Sequence, residues 1–312
     1  GSIGFVAPSF GCATEPYISA FKNAQKKLSQ KGHMLILGSN CYESRGVGIS
    51  NIPQLCGKEL NDMYCDSDAD ILISCGGGEL MCEILEYVDF KRIAQSEPKW
   101  YMGYSDNTNF TFLQTILNDT ASIYGVCAGA FGMKPWHKAI DDTFRIITGK
   151  KLRFTGYDKW EKESLKSEEN PCATMNVTEK RITPAFIGSK RIACEDTDIT
   201  FSGRLIGGCM DCLVNILGTK YDKVADFNER YKEDGERNTI DIKKQRPVQY
   251  VHNVHNDCTV GFKYFNIKDI KSITLKVKGS AKGKIIITSK IDKLDFEKIG
   301  KLKEEGYKPS EE

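Results

Sequence analysis

Ser105 stands between two segments of different pattern. Residues 100–104 have the bulk typical of a buried strand. Apolar residues then recur at helical spacing, at Phe110, Phe112, Leu113, Ile116 and Leu117. Gly103 precedes the serine by two residues, while Asn107 occupies the later position where a second small residue is usual. The pattern predicts either a nucleophile elbow, which presents a serine hydroxyl, or a Ser-Asp helix cap without chemistry.

A glycine triplet ends another predicted strand. The apolar run around Ile71 leads into Gly76, Gly77 and Gly78. Glycines at the carboxyl end of a strand let the backbone approach a ligand and leave its N–H groups free to donate. A serine at one strand end and a glycine turn at another are the components of an oxyanion hole for acyl transfer.

Four blocks of the sequence resemble the LD-carboxypeptidase family of serine peptidases, in its branch of microcin C immunity peptidases. These blocks are residues 3–9, 75–79, 103–108 and 203–219, and they follow the family's order. The resemblance covers residues 1 to about 235. It implies a hydrolase without a cofactor or a metal, which cleaves an amide bond near a free carboxylate. The implied substrate is a muropeptide or a peptidyl-nucleotide.

The same resemblance implies roles for four residues. Ser105 would be the catalytic nucleophile. The backbone N–H groups of Gly77 and Asp106 would bind the oxyanion, and Gly78 would belong to the same oxyanion and substrate-binding turn. The family's Ser-His-Glu triad would take its glutamate from a strand after residues 221–235 and its histidine from further on.

That expected strand does not follow Gly235. The histidines of the chain are His33, His137, His252 and His255, and none matches the triad position. A serine hydroxyl is a poor nucleophile without a base. Two hypotheses therefore stay open: a serine peptidase with a recruited base, and a non-catalytic relative that binds a carboxylate or a peptide in the same pocket.

The pattern changes after Gly235. Residues 246–290 alternate like antiparallel strands. They weakly resemble the β-sandwich appended to some family 43 glycoside hydrolases, especially at residues 261–265, which gives a carbohydrate-binding role as a third hypothesis. A natural fusion, a large deletion and an artificial junction would each explain the change.

The order of the elements predicts an α/β fold. Strands at residues 3–8, 34–37 and 100–104, and others near Ile71 and Ile123, alternate with helices, as in a parallel sheet covered on both faces. The helices are expected at residues 16–31, 60–64, 79–89 and from about 108.

Four segments follow from this pattern. They are an N-terminal α/β domain (1–133), a linker or substrate-binding connection (134–200), an incomplete second domain with a short strand and a helix (201–235), and a mainly antiparallel β segment (236–312). In the linker, Trp136, Tyr157 and Trp160 either stack on a ligand or pack inward.

Composition excludes several classes of partner. A net charge of +2 over 312 residues gives no electrostatic reason to expect a nucleic acid polymer or a membrane surface. No apolar run approaches the ~20 residues of a membrane span, and no signal peptide precedes Ile3. The 12 scattered cysteines favour reduced thiols in a cytoplasm.

Cys209 and Cys212 form a Cys-x-x-Cys pair, which is typical of a redox site or of half a zinc site. No second pair of this kind accompanies it, which favours structural thiols. An incomplete second domain would leave apolar surface exposed, and a homodimer or the C-terminal segment would cover it.

Overall fold

The computed structural model describes residues 1–46, 48–182 and 205–231, and only the backbone of residues 185–187 and 190–192. The chain divides into two compact units, Gly1–Asp241 and Ile242–Glu312. The second unit lies outside the described residues, as do the predicted β segment at 246–290 and the histidines His252 and His255. The bounds of the four predicted segments stay predictions.

A parallel five-stranded sheet organises the described part of the chain, as predicted. Its strands are β1 (Ser2–Val6), β2 (Met34–Leu37), β3 (Ile71–Ser74), β4 (Trp100–Gly103) and β5 (Ile123–Tyr124). Their order in the sheet is β2-β1-β3-β4-β5, and all four pairings are parallel. The strand order reverses between β1 and β3, and ligands of such sheets bind beyond the carboxyl ends of the strands near this point.

Helices cover both faces of the sheet. The α-helices are α1 (Tyr17–Gln30), α2 (Pro53–Cys65), α3 (Phe90–Gln95), α4 (Thr108–Asn118), α5 (Lys138–Ile147), α6 (Met210–Ile216) and α7 (Val224–Arg230). Short 3-10 helices span Met81–Tyr87, Ser105–Asn107 and Ala128–Gly132. Two antiparallel pairs complete the described elements: β6 (Lys159–Glu161) with β7 (Val177–Lys180), and β8 (Ala185–Ile187) with β9 (Lys190–Ile192).

Alternate side chains of the strands belong to two buried clusters, one on each face of the sheet. Phe5 and Ile73 point to the face covered by α1, where they join Phe21 and other buried side chains. Leu72 and Tyr101 point to the opposite face, which α2 and α4 cover. Because both faces are buried, the strands read as continuous apolar runs rather than as alternating ones.

Three elements differ from the sequence-based expectation. The helix predicted at 79–89 is a 3-10 helix confined to Met81–Tyr87. Residues 205–209 carry no regular structure where a short strand was predicted, although the helix after them is present as α6. The predicted linker contains α5, whose buried Ile140 and Phe144 are spaced one turn apart and pack into the α1 side of the core.

No helix among the described residues is both long enough and apolar enough to cross a membrane.

Candidate active site

The turn between β4 and α4 holds Ser105 in an unusual backbone conformation. Ser105 has φ of 59°, in the left-handed region that non-glycine residues rarely occupy. It begins the 3-10 turn that leads directly into α4, and its side chain is half-buried. Strain of this kind persists only where the surrounding contacts impose it, and it is concentrated at functional sites.

Asn107 imposes that turn. Its amide Nδ2 donates to the carbonyl oxygens of Gly76 (2.9 Å) and Tyr104 (3.1 Å), while Tyr101 donates its hydroxyl to Asn107 Oδ1 (2.5 Å). A Cβ on Gly103 would lie 2.6 Å from Asn107 Cγ, so the glycine makes room for this side chain. The asparagine that replaces the usual small residue therefore joins the elbow to the glycine turn after β3.

Two further hydrogen bonds fix the backbone of Ser105. Its N–H donates to the Tyr124 hydroxyl at 3.0 Å, and its carbonyl oxygen accepts from Thr108 Oγ1 at 2.7 Å. Sequence analysis did not identify Tyr124 as a partner of Ser105. The two residues meet because β5 pairs with β4, and a single sequence does not reveal that pairing.

Gly77 lies against the serine. A Cβ placed on Gly77 would be 3.1 Å from Ser105 Cβ and 3.4 Å from Ser105 Oγ. Within the described residues, the N–H groups of Gly77 and Asp106 have no hydrogen-bond acceptor. The structure thus brings Ser105, Gly77 and Asp106 together at the carboxyl ends of β3 and β4, with donors available beside the hydroxyl. Their catalytic roles stay predictions.

The Asp106 carboxylate is buried and fully engaged. Its Oδ2 accepts from Ser9 Oγ and from the Met81 N–H (2.9 Å), and its Oδ1 accepts from Asn109 Nδ2 (3.0 Å). Cys212 of α6 directs its thiol at the same Oδ1 at 3.8 Å. This side chain joins the loop after β1, the Met81–Tyr87 turn and α6, and it thereby positions the elbow.

Gly78 is placed differently from Gly77. A Cβ on Gly78 would lie 2.1 Å from Ser9 Oγ and 2.5 Å from the Gly48 carbonyl oxygen. Packing against the Asp106 network accounts for the glycine at this position. A role for Gly78 in binding substrate stays a prediction.

Burial and the Asp106 charge raise the pKa of the Cys212 thiol to about 12. The side chain is therefore a neutral thiol at physiological pH and acts as a weak donor to the carboxylate. No cluster of three or more His, Cys, Asp or Glu side chains suited to a metal occurs in the part of the chain that the structure describes.

Neither histidine of the described residues bonds to Ser105. His137 begins α5, where its Nδ1 accepts from the Ala139 N–H at 3.1 Å. His33 packs edge-on against Phe144, with 5.5 Å between ring centroids. His137 thus uses one ring nitrogen to cap a helix, and no hydrogen bond joins it to Ser105.

The aromatic side chains of the predicted linker divide between the two interpretations. Trp136 packs inward: its Nε1 donates to the Phe131 carbonyl oxygen at 2.7 Å, and its ring contacts Phe144. Tyr157 donates its hydroxyl to Asp142 at 2.9 Å. Trp160 on β6 is about half exposed and stays available to a ligand.

A rim of tyrosines surrounds the elbow. Tyr17, Tyr104 and Tyr124 are each about half exposed. Burial, and the proximity of Cys127, Tyr17 and Tyr124, raise the pKa of Tyr104, so its hydroxyl is neutral at physiological pH. Phe10 connects this rim to the glycine turn. Its backbone forms an isolated β-bridge with Gly76, and its ring packs against Tyr17 with 5.1 Å between ring centroids.

Two cavities lie elsewhere. One of about 370 Å³ is lined by residues such as Leu85, Ile216 and Tyr221, and one of about 230 Å³ by residues such as Ser2, His33 and Asp70. Neither includes Ser105. Strain and free donors, rather than cavity size, identify the Ser105 region as the candidate site.

The comparisons with known proteins concern the part of the chain that contains this site. The model of the LD-carboxypeptidase N-terminal domain matches residues 3–125. A search of curated proteins gives no match. Among solved structures, the microcin C7 self-immunity protein MccF in its wild-type apo state is 25% identical with a TM-score of 0.56. The complex of MccF with aspartyl sulfamoyl adenosine gives the same two values.

A MccF-like protein from Bacillus anthracis str. Ames shares the fold at 18% identity and a TM-score of 0.52, over 70% of this chain and 63% of that one. The two MccF structures are matched over 70% of this chain and 64% of their own. The chain thus spans less than two thirds of the length of these relatives. Residues 3–125, less than half of the chain, are therefore similar to the N-terminal domain of the LD-carboxypeptidase family.

Proposed function

We propose that this protein is a serine peptidase of the LD-carboxypeptidase and microcin-immunity type, with Ser105 as its nucleophile. The observation that carries the proposal is the left-handed φ of 59° at Ser105 with Gly77 against its side chain. A helix cap needs neither feature, because an ordinary N-cap serine has extended backbone and uses its side chain to bond the helix. Ser105 is not at a cap position, since Tyr104 caps the Ser105–Asn107 turn and Asn107 caps α4.

In the proposed reaction, Ser105 Oγ attacks the carbonyl carbon of the scissile amide and passes its proton to a base. The N–H groups of Gly77 and Asp106 donate to the oxyanion that forms. The tetrahedral intermediate then collapses, the C–N bond breaks, and the amine leaves with a proton. Water hydrolyses the resulting serine ester by the reverse sequence and restores the hydroxyl.

The proposed substrate has a free carboxylate near the scissile amide, as in a muropeptide or a peptidyl-nucleotide. MccF, which shares the fold at 25% identity, is solved with aspartyl sulfamoyl adenosine, a mimic of the second class. Trp160 and the tyrosine rim offer exposed rings against which a nucleobase could stack. We propose that the substrate is a small molecule of this kind.

The base is the component that the described residues do not supply, because His33 and His137 are engaged elsewhere. This observation favours a second candidate function: a relative without catalysis that binds a carboxylate in the pocket of Gly77 and Ser105. Losing the base of a triad costs several powers of ten in rate and leaves binding intact.

A hydrolysis assay separates the two. Wild-type protein, Ser105→Ala and the control Ser44→Ala, which changes an exposed serine, are incubated with a peptidyl-adenylate and with an LD-tetrapeptide. The peptidase predicts turnover in the wild type and in the control, and its loss in Ser105→Ala. Turnover that survives in Ser105→Ala excludes the assigned nucleophile. Saturable binding without turnover in the wild type supports the second candidate.

We also propose a cytoplasmic location and a homodimer. The described cysteines are all free thiols, which suits a reducing compartment. The side chains of Met210, Val214 and Leu217 on and beside α6 are half or more exposed, and this apolar strip would be covered in a dimer. Sedimentation of the purified protein tests the second point.

A further inference from the structure

Lys166 places an ammonium group near the tyrosine rim. Its Nζ lies 4.9 Å from the centroid of the Tyr17 ring, within the range of a cation–π contact. The same Nζ is 3.9 Å from where a Cβ on Gly129 would stand, between α1 and the Ala128–Gly132 turn. Lys166 is only partly exposed, and burial lowers the pKa of its ammonium group.

This partly buried charge has no carboxylate partner within the part of the chain that the structure describes. No described carboxylate lies within ion-pairing distance of Lys166. Glu15, the acidic residue just before α1, accepts from the Ser19 hydroxyl at 2.6 Å. The titratable groups whose charges affect Lys166 are the thiols of Cys12 and Cys172. An ammonium group partly removed from water without a partner is costly, and an anion would offset that cost.

The start of α1 already has its own carboxylate. The helix begins at Tyr17, and Glu15 just before it accepts from the Ser19 N–H at 3.4 Å and from the Ser19 hydroxyl. The positive end of this helix is therefore offset, whereas the Lys166 ammonium has no carboxylate partner among the described residues.

This position adjoins the candidate active site. The Tyr17 ring packs against Phe10, Phe10 bridges Gly76, and Gly77 touches Ser105. A ligand with its scissile amide at Ser105 and an anionic group a few bonds away would bring that group toward Lys166.

We propose that the Lys166 ammonium, held beside the Tyr17 ring, forms an anion-binding subsite that holds a carboxylate or a phosphate of the ligand bound at Ser105. The subsite rests on the proposed function for the position of the ligand, but it requires binding only and no turnover. Lys166 acts as a specificity residue, which favours anionic over neutral ligands.

The test measures binding by calorimetry in a Ser105→Ala background, so that hydrolysis does not contribute. Two probe pairs differ by one anionic group: AMP against adenosine for a phosphate, and aspartyl against asparaginyl sulfamoyl adenosine for a carboxylate. The variants are Lys166→Met, which keeps the length but removes the charge, and Lys166→Arg, which keeps the charge. Lys162→Met is the control, because Lys162 is an exposed lysine of the same loop.

The Ser105→Ala protein should prefer the anionic member of at least one pair by about tenfold or more, as expected for a charged hydrogen bond. Lys166→Met should abolish that preference, Lys166→Arg should retain most of it, and Lys162→Met should leave it unchanged. The pair that shows the preference identifies the anion. The proposal is overturned if neither pair shows a preference, or if Lys166→Met, with an unchanged melting temperature, keeps it.

Discussion

Two buried carboxylates lie at the carboxyl edge of the sheet, Glu59 beside β1 and β2 and Asp106 beside β3 and β4. Glu59 accepts from the backbone N–H groups of Ala7 (3.1 Å) and Asn40 (2.9 Å). Asp106 accepts from the Met81 N–H and from Ser9. Each carboxylate therefore joins the loops that follow neighbouring strands, and the two junctions use the same chemistry.

The backbone around them differs. The described residues of the Glu59 junction contain no non-glycine residue with a positive φ, and the backbone N–H groups beside the carboxylate are bonded to it. Beside Asp106, Ser105 has a φ of 59°, and the N–H groups of Gly77 and Asp106 have no acceptor among the described residues. A buried carboxylate alone therefore does not distinguish the two junctions, whereas strain together with free donors does.

Removing either carboxylate should have the largest effect on stability. Glu59→Ala and Asp106→Ala each leave several buried donors without an acceptor, so each should lower the free energy of unfolding by about 2–4 kcal/mol. Urea unfolding at neutral pH measures both losses. Only Asp106→Ala should also abolish reaction of Ser105 with a serine-directed probe. Equal loss of that reaction in folded Glu59→Ala would remove the distinction between the junctions.

A glycine replacement at each junction should separate chemistry from stability. Gly77→Ala places a methyl group 3.1 Å from Ser105 Cβ, so it should slow acylation by about 10- to 100-fold while unfolding changes by under about 1 kcal/mol. The matched variant Gly38→Ala places its methyl group 1.9 Å from Glu59 Oε1 and should instead cost about 1–3 kcal/mol of stability. Stopped-flow acylation and urea unfolding give the two readouts, and a reversed pattern would contradict the account.

Strain at Ser105 predicts a gain in stability. Ser105→Gly removes the steric cost of the left-handed conformation, so this variant should be about 1 kcal/mol more stable than Ser105→Ala. Both variants lack the hydroxyl, so its loss does not contribute to the difference in stability between them. Equal melting temperatures would mean that the turn carries no strain.

The pH dependence of stability should report on Glu59. Burial raises the pKa of the Glu59 carboxyl, so the folded protein holds this proton to a higher pH than the unfolded chain does. The contribution of this proton to the free energy of unfolding is complete below the pKa of Glu59 in the unfolded chain. It is lost as the pH rises through the pKa of Glu59 in the folded protein. Glu59→Gln does not titrate at this position. The free energy of unfolding of the wild type, measured relative to that of the variant, should therefore fall as the pH rises. A constant difference from pH 4 to 7, roughly the range in which a raised carboxyl titrates, would contradict this.

Much of the fold could be predicted because its signals are local. The apolar runs at β3 and β4 and the helical spacing of α4 lie within single segments of sequence. The helix α5 carries a comparable signal in the spacing of Ile140 and Phe144, but charged residues around it suggested a linker. The 3-10 helix at Met81–Tyr87 has an apolar pattern that does not distinguish it from an α-helix.

The candidate site likewise contains residues that the sequence could predict and residues that it could not. Ser105 and Gly77 could be identified, since each lies in a local turn motif. Their supporting groups could not, because Ser9 and Tyr124 reach the elbow from 97 and 19 residues away. One sequence carries no signal for such contacts, which depend on the order of the strands.

Labelling with a fluorophosphonate tests the central claim most directly. The wild-type protein, Ser105→Ala and Ser44→Ala are treated with the probe, and the modified residue is located by mass spectrometry. An activated nucleophile in a strained elbow predicts one adduct, on Ser105, present in the wild type and in Ser44→Ala and missing from Ser105→Ala. An adduct on another serine that persists in Ser105→Ala would contradict the account.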